Sequence, residues 1–136
     1  MFRRAFLGAA IILAFSACEK EPAALAQLIT DRDSLGFGGE FGSGAYVGTS
    51  IANTLIVTNE GLETLTISSV TVTGRPPFAL GDVSTQTLET YDRAFIQVLF
   101  EPTAPGDFQG MLTLESNAEN FPIKEIPLSG RGVAAP

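Results

Sequence analysis

From Ser34 onward the apolar residues recur at every second position, in short runs separated by turn residues, and no useful length carries a helical period. That pattern restricts the chain to half-buried strands, because side chains i and i+2 of an extended backbone share a face. Ile51–Asn59 places Leu55 and Val57 on one face and Thr54, Ile56 and Thr58 on the other. Leu65–Thr73 is rich in β-branched residues, with Leu65 and Ile67 in phase. Leu35–Phe37 and Phe78 with Leu80 read as shorter pieces, and Glu89–Phe100 as one long strand with Ile96, Val98 and Phe100 in phase. Phe108–Ser116 carries Leu112 and Leu114, and Phe121–Leu128 closes the series before Gly130-Arg131-Gly132. The breaks are a glycine-dense stretch from Gly36 to Gly44, Asn59-Glu60-Gly61 (a hairpin signal), Gly74-Arg75-Pro76-Pro77, Pro102 to Gly106, and Asn117 to Asn120.

About seven to eight strands over roughly 100 residues, with a turn signal every ~8–12, predict an all-β fold, an immunoglobulin-like antiparallel β-sandwich. Its expected core is Leu55, Val57, Ile67, Phe78, Ile96, Val98, Phe100, Leu112, Leu114, Ile126 and Leu128. Pro122 and Pro127 fall in the last run, where a missing N–H is tolerated at an edge or a bulge, so the last strand is expected at an edge. With 45% hydrophobic and 17% charged residues the chain has enough apolar material for a packed core. One Cys and no His leave no internal disulfide, no Cys-rich zinc site, no imidazole ligand and no His-based triad. A domain so composed is held by its core alone.

The N-terminus follows a different pattern. Arg3 and Arg4 precede an apolar run from Ala5 to Phe15, and Ser16, Ala17 and Cys18 follow. A basic head, an apolar stretch of ~7–15 residues and small residues at its end predict a secretory signal, since a spanning helix needs about 20 apolar residues. Phe15-Ser16-Ala17-Cys18 resembles a bacterial lipobox, departing from it at Phe15, where that family has Leu or another aliphatic. The resemblance implies diacylglycerol on the Cys18 thiol and a mature chain beginning there. Ala24-Leu25-Ala26 offers a rival cut before Gln27, which would leave a soluble periplasmic or secreted protein. The expected organisation is a signal peptide over 1–17, lipidated Cys18 and a tether over 18–33, the sandwich over 34–132 and a tail over 133–136. Leu25, Leu28 and Ile29 in the tether are candidates to pack on the domain. The formal charge of −7 becomes 6 − 15 = −9 once Arg3 and Arg4 are removed, which opposes nucleic acid and a polybasic membrane mode.

Several fragments resemble one domain family in order and spacing. They are Leu35-Gly36-Phe37, Val47-Gly48-Thr49, Leu55-Ile56-Val57-Thr58-Asn59-Glu60-Gly61, Leu65-Thr66-Ile67, and Gly74 with Phe78. Ile96 through Pro102, Gly106, Gly110 through Asn117, and Ile126 through Gly132 continue the match. The chain thus resembles the choice-of-anchor D / abnormal-spindle–Hydin (ASH) group of immunoglobulin-like domains, related to major sperm protein and pilus-chaperone sandwiches. The resemblance implies an extracellular or scaffolding context and no enzyme activity, and it carries no shared catalytic residues.

Candidate chemistry is sparse. Gly36-x-Gly38 is followed by Phe41 where a dinucleotide fingerprint needs Gly, and Gly42-Ser43-Gly44 has no His partner and no strand–helix elbow. Asp31 and Asp33, with Asp107 or Glu101, are a candidate Ca²⁺ set, against solvated acids of a linker. No catalytic, cofactor or metal residues are therefore assigned. The more informative feature is the outer face of the strands. With Leu55, Val57, Ile96 and Val98 inward, Ile56, Phe95 and Leu99 point outward, and an immunoglobulin order makes their strands neighbours. They are expected to form one apolar patch, either a protein-partner surface or a face covered by the segment from Ala23 to Ile29. The expected function is a non-catalytic, lipid-anchored envelope protein with a protein partner. The alternatives are a soluble subunit docking by an edge strand and, third, a carboxylate-based hydrolase.

Overall fold

The computed structural model describes residues 22–38, 44–74 and 77–135, and all their regular structure is strand. The strands are β1 (Leu28–Thr30), β2 (Leu35–Phe37), β3 (Ala45–Tyr46), β4 (Ile51–Asn59), β5 (Leu65–Thr73), β6 (Phe78–Val83), β7 (Thr87–Leu88), β8 (Arg93–Phe100), β9 (Gly106–Ser116) and β10 (Ile123–Val133). They form two sheets. One has the order β1-β4-β8-β6; the other runs β2-β10-β9-β5-β7, with β3 also paired to β10. Neighbours are antiparallel except β2 and β3, which lie parallel to β10. Consecutive strands cross between the sheets except at β2–β3 and β9–β10, in the manner of an immunoglobulin-like sandwich.

The period-two pattern sets which faces meet. All eleven residues expected in the core are buried, together with Leu28, Leu35, Phe37, Leu65 and Leu88. At one end of the sandwich four rings pack together. Phe37, Phe78 and Phe100 have centroids 5.1 to 5.7 Å apart, and Phe108 lies 6.1 Å from Phe100. At the other end the one buried polar side chain among the described residues, Asn59, ties the corner together. Its Oδ1 accepts the N–H groups of Gln27 and Gly61 at 3.2 and 2.9 Å. Its Nδ2 donates to the carbonyls of Glu63 and Leu88 at 2.9 and 3.0 Å. Every polar atom of this amide is used, which is what makes its burial tolerable.

Four local expectations change. The sandwich begins before Ser34, because Leu28 is buried in β1, which pairs with the end of β4 from Asn59 to Val57. Asn59-Glu60-Gly61 is a corner between sheets and not a hairpin turn, since β4 pairs with β1 and β8 while β5 pairs with β9 and β7. Glu89–Phe100 is broken by a turn, closed by the Asp92 N–H on the Glu89 carbonyl at 3.0 Å, so that only Arg93–Phe100 is one strand. The last strand is an edge only in its first half. Beyond Pro127 its free side is taken by β2 at Leu128–Gly130 and by β3 at Gly132–Val133. The proline stands where that pairing begins, so its missing N–H costs no ladder bond to β2.

Candidate interaction surface

β4 and β8 are antiparallel neighbours, with Ile56 opposite Phe95, Thr54 opposite Gln97 and Ala52 opposite Leu99. Because Leu55, Val57, Ile96 and Val98 are buried, these pairs point away from the core. The three residues singled out in the sequence therefore share one outer face. Phe95 is 46% exposed, while Ile56 and Leu99 are half-buried. β1 adds Ile29, exposed beside Thr58, and β6 adds Ala79 opposite Leu99. On this face Ile29 lies diagonal to the Ile56–Phe95 pair, and the polar Thr54–Gln97 pair separates that pair from Leu99 and Ala79. The segment expected to fold over this patch does not cover it. Its Leu28 and Ile29 join the sheet edge-on as part of β1, and nothing else among the described residues lies across Phe95.

Asp31 closes the edge beside the patch. Its Oδ1 accepts the Ile56 N–H at 2.9 Å, its own N–H donates to the Ile56 carbonyl at 3.0 Å, and Arg32 Nε lies 3.3 Å from its Oδ2. A carboxylate so used extends the ladder past Thr30 by side chain, which blunts the exposed edge of β4. Asp33 instead lies 3.9 Å from Lys124 Nζ, which also sits 4.3 Å over the ring of Phe121. The acids considered for Ca²⁺ are therefore dispersed: among the described residues no three metal-ligating side chains come together. Cys18 and Ser43 lie outside the described residues.

A shallow depression of about 360 Å³ lies on the other sheet, with Asp107, Gln109, Ser129 and Arg131 around it. Its serine has no imidazole to activate it, since the chain contains no His. Sequence reasoning missed Asn59 as the knot of the corner and read it as a turn residue. The signal for it, an Asn ending a strand before Glu-Gly, is shared with ordinary turns.

The sequence matches the HYDIN/CFA65/VesB-like Ig-like domain family over residues 27–130. The chain belongs to this family. Among solved structures, the HYDIN/CFA65/VesB-like domain superposes on a Porphyromonas gingivalis protein of unknown function with a TM-score of 0.66 and 12% identity. That match covers 82% of this chain and 49% of the other, so the chain spans about half that protein's length. The human CEP192 ASH/PapD-like domain 7 matches with a TM-score of 0.61 and 16% identity, over 87% of this chain and 92% of that domain. The Vibrio cholerae VesB protease matches with a TM-score of 0.53 and 17% identity, over 81% of this chain and 32% of the protease. At these identities the likeness is one of fold. A comparison with curated protein sequences gives no significant match.

Proposed function

We propose that this chain is a non-catalytic cell-envelope protein, held by lipid on Cys18, whose Ig-like domain takes a protein partner on the outer face of β4 and β8. The observation that carries the reading is the uncovered Ile56–Phe95 pair, with Ile29 diagonal to it and Leu99 further along the same face beyond Thr54 and Gln97. Phe95 is 46% exposed and Ile56 and Leu99 are already half-buried, so covering what remains of the three supplies roughly 2–4 kcal/mol before ordering costs, a contribution to binding that further contacts must complete. The absence of His and the dispersion of the acids favour binding over catalysis.

The anchor draws support from the position of the rival cleavage site. Ala26 is 1% exposed and its carbonyl accepts the Glu119 N–H at 2.9 Å, while the Ala23 carbonyl accepts the Leu62 N–H at 2.8 Å. A mature chain beginning at Gln27 would lose both bonds and a core residue. One beginning at Cys18 keeps them.

A second reading, docking by an edge strand, is favoured by β5. β7 and Gln86 cover only Leu65 to Ile67, leaving Ser69–Thr73 without a second neighbour among the described strands and without charge or proline to protect it. Photo-crosslinking in cells separates the two. A photoreactive side chain at position 95 is expected to give one discrete envelope-protein adduct, lost with Ile56→Asp. An adduct from position 71 and none from position 95 would select the edge strand instead.

A further inference from the structure

The Asn59 end of the sandwich, where Ala23 and Leu62 meet, carries exposed apolar side chains that the proposed partner face does not use, three of them on the segments around Gly61. Leu25, Leu62 and Tyr91 are 45%, 62% and 58% exposed. They come from three segments stitched to one corner. The Leu62 N–H donates to the Ala23 carbonyl at 2.8 Å, the Tyr91 N–H to the Asn59 carbonyl at 2.6 Å, and Thr90 Oγ1 to the Gly61 carbonyl at 2.8 Å. Gly61 lies so close to the backbone of Leu25 that a Cβ there would overlap its carbonyl oxygen.

Tyr91 is held in an unusual way. Its φ is 65°, the only positive φ at a non-glycine among the described residues, in a turn position that favours Gly or Asn. The turn thus presents an aromatic ring, 58% exposed, from a backbone whose N–H is held by the Asn59 carbonyl.

We propose that this pole rests on the interfacial region of a phospholipid bilayer through Leu25, Leu62 and Tyr91. The inference rests on lipidation of Cys18, proposed above. Cys18 precedes Ala23 by five residues, so a fully extended link holds the Asn59–Leu62 corner within ~18 Å of the acylated sulfur's residue. The opposite pole, marked by Tyr46 beside Val133, lies a full β10 away, about 33 Å at the rise of a strand. The lipid therefore selects which end meets the membrane, and that end carries two leucines and a tyrosine. Tyrosine concentrates at membrane–water boundaries, its ring among acyl chains and its hydroxyl in the headgroups. Glu60, Glu63, Glu89 and Asp92 in the same loops keep the contact shallow and make zwitterionic headgroups the better surface. Acyl chains supply the affinity, and the three side chains fix the orientation. Standing on this pole, the domain directs its strands away from the bilayer and leaves Phe95 on its flank.

The chain has no Trp, so single tryptophans report without background. Leu62→Trp, Tyr91→Trp and, as a control, Tyr46→Trp are introduced into the full-length lipidated protein. Each is reconstituted into phosphatidylcholine vesicles with acyl chains brominated near the headgroup, after circular dichroism shows an unchanged fold. The expected result is loss of emission and a blue shift for the first two variants, with Tyr46→Trp unaffected. Membrane-bound protein in which all three emit alike would overturn the proposal while leaving the anchor intact. Tryptophans silent to brominated lipid but shielded from an aqueous quencher in native membranes would assign the pole to a protein and also overturn it. Protein never found on membranes, with a mature N-terminus at Gln27, would remove the anchor and the proposal together.

Discussion

The ring of Phe100 packs against the backbone of Gly130, where a Cβ would stand 2.7 Å from Cζ. Gly130 lies opposite Phe108 on β9, so its missing side chain is the space into which β8 sends its last aromatic residue. Gly110 on β9 makes room in the same way for Phe78, whose Cδ2 a Cβ there would meet at 2.9 Å. Gly130→Ala is expected to destabilise the domain by about 1–3 kcal/mol by overpacking, and Phe100→Ala by about 3–5 kcal/mol by leaving a cavity. The double variant should cost less than the sum, because the shortened side chain removes the clash. Denaturant midpoints of the four proteins check this.

Asn59 is expected to be the most sensitive polar position. Asn59→Asp keeps the acceptor for Gln27 and Gly61 but sets a carboxylate against the carbonyls of Glu63 and Leu88. Two hydrogen bonds become two repulsions in a buried site, a loss of roughly 2–5 kcal/mol at neutral pH. Thermal unfolding of Asn59→Asp beside Asn59→Ala measures it.

The segment before Ser34 is expected to behave as part of the domain. Leu28 is fully buried, and its N–H and carbonyl are both held by the Asn120 side chain at 2.9 Å. Leu28→Ala should cost about 2–5 kcal/mol, and deletion of residues 23–29 considerably more. Equal urea midpoints for the deletion and the parent would contradict the assignment of β1.

What could be read from the residues, and what could not, follows from whether the deciding contact is local. Leu55 with Val57, Ile96 with Val98 and Phe100, and Leu112 with Leu114 state their inward phase outright, since a slip of one residue would bury Thr58 or Gln97. β5 carries a register shift between Ile67 and Ser69, after which Val70 and Val72 take over the inward face from Leu65 and Ile67. Only the Ser68-Ser69 pair hints at that change in sequence. β1 is a three-residue strand after an alanine-rich stretch, indistinguishable from a tether until Asn59 and Asn120 are seen to hold it. The corner after β4 reads as a hairpin because turn residues do not reveal which sheet the next strand will join. The outer face was legible for the same reason as the core. It is the other half of the alternation.

Phe95→Asp should leave folding within about 1 kcal/mol of the parent, because the side chain is exposed and its pairing with Ile56 is worth a fraction of that. The same substitution should abolish the crosslink from a photoreactive group at position 56. Loss of stability with the crosslink retained would place Phe95 in the fold and outside the interface.

The start of the mature chain decides whether the domain is held by lipid. Intact-mass and N-terminal peptide analysis of the protein recovered from a membrane fraction is expected to show a chain starting at Cys18 and carrying diacylglycerol, released to the soluble fraction by Cys18→Ser. A soluble protein starting at Gln27, without lipid, would contradict it.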